Sequence, residues 1–196
     1  MKKWVFLLSL LFCTSLLSAQ PGKYSDELKN FQETYVIKHE VVLGKDKNFF
    51  RFYPVNETYR VNASFEKIWD TVGFVMKTSG TKNKRFYRYG ILRFTINGLP
   101  LRLTLYQSAQ LMQDSTYKNY LFLPFTDKTT GEKTYAGGRY IDLEMDDIKN
   151  EQVIVDFNKA YNPYCAYTTG YNCPIPPRET SMPVAIKAGE KNFSKK

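Results

Sequence analysis

The chain is poor in the residues that most often carry catalysis. It has one histidine, His39, and three cysteines in 196 residues. A single histidine excludes any multi-histidine metal centre. It also leaves a Ser-His-Asp or Cys-His arrangement only one base to draw on. No GxSxG elbow is present, and no internal repeat. After the first 17 residues no apolar run is long enough to span a bilayer. The basic residues are scattered, apart from the 82–88 run and the C-terminal tail, which reads as a solvated surface rather than a nucleic-acid footprint.

The amino terminus reads as a secretory leader. Lys2 and Lys3 precede an apolar stretch from Trp4 to Leu17, too short for a stable membrane helix, and Ser18-Ala19 offers small residues for cleavage before Gln20. The expected organisation is a signal peptide over 1–19 and one globular domain over 20–196, secreted or periplasmic. Cleavage would remove Cys13. It would also lower the basic residues from 28 to 26 against 19 acidic ones, a net charge of about +7. Acidic glycans and anionic lipid suit that sign, and export argues against a nucleic-acid partner.

What the chain has in quantity is aromatic residues, 16% of the total. Five of them, Phe157, Tyr161, Tyr164, Tyr167 and Tyr171, lie in an unusual final stretch from Asp156 to Lys191. Five of the nine prolines fall there, together with Cys165 and Cys173. Proline at that density can neither propagate a helix nor fill a central strand. Disordered segments are poor in aromatics, so this stretch reads as a long ordered loop. In an oxidising compartment Cys165 and Cys173 are expected to form a disulfide. Two alternatives stay open: a thiolate pair holding a metal with Asp156 or Glu179, and two buried free thiols.

Ser25 to about Glu40 reads as an amphipathic helix, with Ser25 as N-cap and Leu28, Phe31 and Tyr35 on one stripe. His39, near its end, is expected to be a surface residue complementing the helix dipole. From Phe49 the pattern turns to period two. Short strands are expected at Phe49–Tyr53, Thr58–Val61 and Val72–Lys77. Arg85–Ile96 and Leu99–Gln107 flank Asn97-Gly98, a strong signature of a two-residue hairpin. Its register pairs Ile96 with Leu99, Phe94 with Leu101 and Leu92 with Leu103, placing all six on one buried face. It also sets Arg93 opposite Arg102, a repulsion to be relieved by solvent or by an acid from a third strand. Tyr120–Phe125 and Tyr135–Leu143 form a second hairpin candidate, with Gly137-Gly138 marking a bulge or close backbone approach. Asp142, Glu144, Asp146 and Asp147 read as a solvated acidic turn. Further strands are expected at Gln152–Phe157 and Val184–Lys187. The sum is a mainly β, antiparallel sandwich or partly open barrel of hairpins, with one N-terminal helix.

Several long strings resemble one family. NKAYNPYCAY, YNCPIPP followed by Glu179, and IKAGEK lie in the final stretch; FFRFYPV, YGILRFTINGLPLRL and YLFLPFTDKTTGEKTYAGGRYIDL lie upstream. Together, from Phe49 to Lys191, they resemble the bacterial and archaeal family called domain of unknown function 1684. Thr180 departs from the pattern, where Asn is expected. The resemblance implies no activity.

The chemistry available is therefore carboxylates, tyrosines and basic groups. The candidate binding residues are Tyr135, Arg139, Asp156, Asn158, Tyr161, Asn162, Glu179 and Glu190, with no cofactor and no metal expected. Two readings follow. One is a non-catalytic module that binds a small molecule or glycan in a polar-aromatic pocket near residues 156–191. The other is a hydrolase using Asp156 or Glu179 as acid or base.

Overall fold

The structure, a computed structural model, describes residues 22–194. The leader, its cleavage point and Cys13 lie outside the described residues. A helix, α1 (Lys23–Lys38), is followed by β1 (Arg60–Lys67), β2 (Phe74–Met76), β3 (Lys84–Ile96), β4 (Leu99–Ser108), β5 (Tyr120–Phe125), β6 (Arg139–Glu144) and β7 (Gln152–Asp156). The strands form one antiparallel sheet in the order β6-β5-β4-β3-β1-β7, with β2 paired to the start of β3. The sheet curls into a half-barrel, the mainly β, hairpin-built architecture expected from the binary pattern.

The β3–β4 hairpin has the expected register, Ile96 to Leu99, Phe94 to Leu101 and Leu92 to Leu103. Asn97 and Gly98 both adopt positive φ, 52° and 78°, which gives the turn the twist of its strands. Five of the six residues are buried. Leu99, expected inside, is 41% exposed because it sits at the hairpin tip, beyond the reach of the core. Arg93 faces Arg102, and the repulsion is relieved by an acid from the third strand: Glu66 of β1 accepts from Arg93 at 2.8 Å.

Both faces of the sheet are covered near β5. Leu121, Leu123 and Phe125 join Ile141 and Leu143 in the main core with Leu92, Phe94 and Leu103. The alternate residues Phe122 and Tyr140 join Met76, Phe86 and Tyr106 in a second, aromatic cluster. Phe86 and Leu92 have the same parity along β3 yet lie in different clusters. The register shift between Arg88 and Gly90 explains this, since one extra residue turns the strand over. At Gly138 (φ 82°) an added Cβ would stand 2.7 Å from the Phe125 carbonyl, the close approach expected of this glycine pair.

Two expected strands do not form. Phe49 ends a 3-10 turn, and Phe52 makes only a single bridge, to Glu190. Pro54 then lacks the N–H needed to extend it. The backbone around Val184–Lys187 is bonded elsewhere: the Val184 carbonyl accepts from Lys128 N at 2.8 Å, and the Ile186 carbonyl from the Arg139 guanidinium at 2.9 Å. The helix begins at Lys23 with Gly22 as its cap, three residues ahead of the expected cap Ser25.

His39 is a clear correction. It is 6% exposed, packed edge-on against Tyr35, Phe50, Tyr164 and Tyr167. Its Nδ1 accepts from Val42 N at 3.1 Å. Desolvation, aided by Lys47, pulls its pKa down to about 4, so it is neutral and caps nothing by charge. The helix turns it inward because the aromatic stripe that docks α1 continues through this position.

Candidate functional site

The final stretch lies over the aromatic cluster and is held by polar side chains. Cys165 and Cys173 form a disulfide, and the Tyr135 hydroxyl donates to the Cys165 carbonyl at 3.2 Å. Arg139 is fully buried. It pairs with Asp127 at 2.7 Å and donates to the carbonyls of Ile186, Ala188 and Glu190. Expected as a ligand contact, Arg139 instead clamps the 186–190 backbone. A buried charge so bonded is costly to leave unpaired.

Glu190 and Asn162 come together as one buried knot. The Glu190 carboxylate accepts from Tyr167 at 2.7 Å, from Asn162 N at 2.9 Å and from Tyr35 at 3.3 Å. Desolvation pushes its pKa up to about 7, against the pull of these donors. Tyr35 comes from α1, so this carboxylate ties the helix to the C-terminal segment. A second tie is at the other end of α1. Tyr24 donates to Asp156 at 2.8 Å, and the Asn158 amide bonds both Tyr24 and Asp156 at 3.0 Å. Asn158 also donates to the Asn56 carbonyl at 2.9 Å.

Glu179 is placed elsewhere. It accepts from Arg88 and Tyr106 at 2.9 and 2.8 Å. Desolvation works to raise its pKa, but the Arg88 and Tyr106 bonds outweigh it and hold the group below the ordinary carboxylate value. Neither Asp156 nor Glu179 lines the aromatic-walled cavity beside β6.

That cavity, about 690 Å³, opens between α1, β6 and the C-terminal segment. Such a volume suits a small organic ligand. Phe31, Tyr35, Tyr140, Tyr161, Tyr164 and Tyr171 give it aromatic walls. Asp142 of β6 is one of its charged groups. Tyr161 and Tyr120 both donate to Asp142 Oδ1, at 2.6 and 2.7 Å. Asp142 is open to the cavity yet crowded by protein, and desolvation raises its pKa against these two bonds. Tyr161 is pinned by a two-way backbone bridge to Tyr140, at 2.9 and 3.0 Å.

Of the eight candidate binding residues, only Tyr161 lines this cavity. Asp142 was expected in a solvated turn. Glu144 and Asp147 do form a local capping box there, but Asp142 does not join it. A signal for Asp142 exists in the sequence. Period two puts Tyr140 and Asp142 on the face opposite Arg139, Ile141 and Leu143. What covers that face comes from Tyr161, nearly twenty residues on, and from α1.

The fold is that of a β half-barrel with one docked helix, and the site is an aromatic cavity with a tyrosine-held carboxylate. The chain matches, over residues 48–191, the family described as Protein of unknown function (DUF1684), and it belongs to that family. It is similar to the solution structure of an uncharacterised protein from gene locus rrnAC0354 of Haloarcula marismortui. The TM-score is 0.66 and the identity 28%, covering 88% of this chain and 96% of the other. No curated protein matches the chain.

Proposed function

We propose that the protein is an exported, non-catalytic binding module, and that its ligand, a small molecule or glycan, occupies the aromatic cavity above β6. The observation that carries this reading is Asp142, a partly desolvated carboxylate oriented by two tyrosine hydroxyls inside a cavity of ligand size. Oriented polar groups among aromatic walls are what recognition of a small compound requires. The hydrolase reading has less support. Asp156 and Glu179 are each bonded into separate contacts, with Tyr24 and Asn158 and with Arg88 and Tyr106.

Thermal-shift screening of sugars and aromatic compounds, followed by amide chemical-shift mapping of any hit, tests the reading. Perturbations should centre on Tyr140, Asp142 and Tyr161. Shifts confined to the Arg93–Arg102 surface would overturn it. Turnover of a hit that is abolished by Glu179→Gln would establish the hydrolase instead.

A further inference from the structure

The polar groups around the cavity differ in how they are satisfied. Its two carboxylates have donors. Asp142 accepts from Tyr120 and Tyr161, and Glu40 accepts from Tyr164 at 2.8 Å. Its three ammonium groups, on Lys38, Lys84 and Lys159, have no ion-pair partner among the described residues. Lys84 opens β3 and is half-buried, and desolvation lowers its pKa. Lys159 reaches over the Phe31 ring, with Nζ 5.3 Å from the centroid. His39 is neutral and adds no charge. The wall thus offers three ammonium groups in no ion pair, beside two carboxylates whose donors are neutral tyrosine hydroxyls.

We infer that the cavity selects a ring-bearing carboxylate, with the ring against the tyrosines and the acid group received by Lys84 and Lys159. This rests on the proposed binding role of the cavity. Aromatic faces accept a flat or pyranose ring, and the half-buried Lys84 ammonium binds a carboxylate more strongly than an exposed one does. The three ammonium groups outnumber the two carboxylates, Asp142 and Glu40, so the same wall disfavours a cationic ring. Two sources share this chemistry: acidic sugars and aromatic acids.

Calorimetric titration of the mature protein with matched pairs separates them. Glucuronate is compared with glucose, and 4-hydroxybenzoate with 4-hydroxybenzyl alcohol. In at least one pair the acid should bind about tenfold or more tightly than its neutral partner, and the pair that discriminates names the source. Lys84→Gln and Lys159→Gln should each weaken the acid several-fold, leave the neutral compound unchanged, and flatten the dependence on salt. Lys159 is exposed, so its variant reports even if Lys84→Gln folds poorly. Neutral compounds binding as well as acids, with both variants unaffected, would overturn the charge selection and leave the cavity reading standing. No heat and no amide shift at Tyr161 with any of the four probes would overturn both.

Discussion

Glu190 shows how a single buried group sets a pH response. Its folded pKa, about 7, stands above the ordinary 4.5. The folded protein therefore holds this proton more tightly than the unfolded chain. The stability it contributes is fully present below about pH 4.5 and is lost as pH rises through about 7. The swing is on the order of 3 kcal/mol. Glu190→Gln keeps an acceptor for Tyr167 and removes the ionisation. Urea unfolding at pH 5 and pH 8 should show the variant gaining on the wild type by more than about 1 kcal/mol at the higher pH. An equal difference at both pH values would show that Glu190 ionises normally. His39 works in the opposite direction. Its depressed pKa gives stability that is present above about pH 6.5 and lost as pH falls through about 4. That acid limb should survive in Glu190→Gln. As the sole histidine, His39 gives one ring resonance, expected to titrate near pH 4; a midpoint above 6 would place it in water.

At the scale of elements, the β3–β4 hairpin is where turn chemistry and side-chain alternation agree most closely. Phe94 is 6% exposed and meets Phe157 at 5.6 Å between ring centroids. Phe94→Ala should cost about 3–5 kcal/mol, the usual range for truncating a buried phenylalanine. Leu99→Ala, at the exposed tip, should cost less than about 1 kcal/mol. Denaturant midpoints at constant slope measure both. Equal costs at the two positions would mean that the hairpin face is not packed as described.

At the scale of the whole molecule, α1 and the C-terminal segment enclose the cavity together, joined through Glu190 and Asp156 at the two ends of the helix. The proposed export would present this cavity outside the cytoplasm. The leader pattern predicts a chain beginning at Gln20. Intact-mass measurement of protein from a secreting host checks this, and recovery of the chain with Met1 retained in the membrane fraction would refute it.

Much of this molecule follows from local rules. Asn97-Gly98 and the alternation on either side dictate the hairpin and its register, because both act over a few neighbouring residues. Proline density and the two cysteines mark 156–191 as a pinned, irregular segment for the same reason. Tertiary structure alone decided how these parts meet. It turned His39 inward, since the burial of a helix end depends on what docks against it. It used Arg139 and Glu190 as internal ties, since buried polar groups need partners and theirs lie on other segments of the chain. It made the cavity around Asp142 rather than around Asp156 or Glu179. Alternation could show that Asp142 and Tyr140 share a face, but only the chain folding back at Tyr161 supplied the hydroxyl and the cover that turn a surface acid into a site.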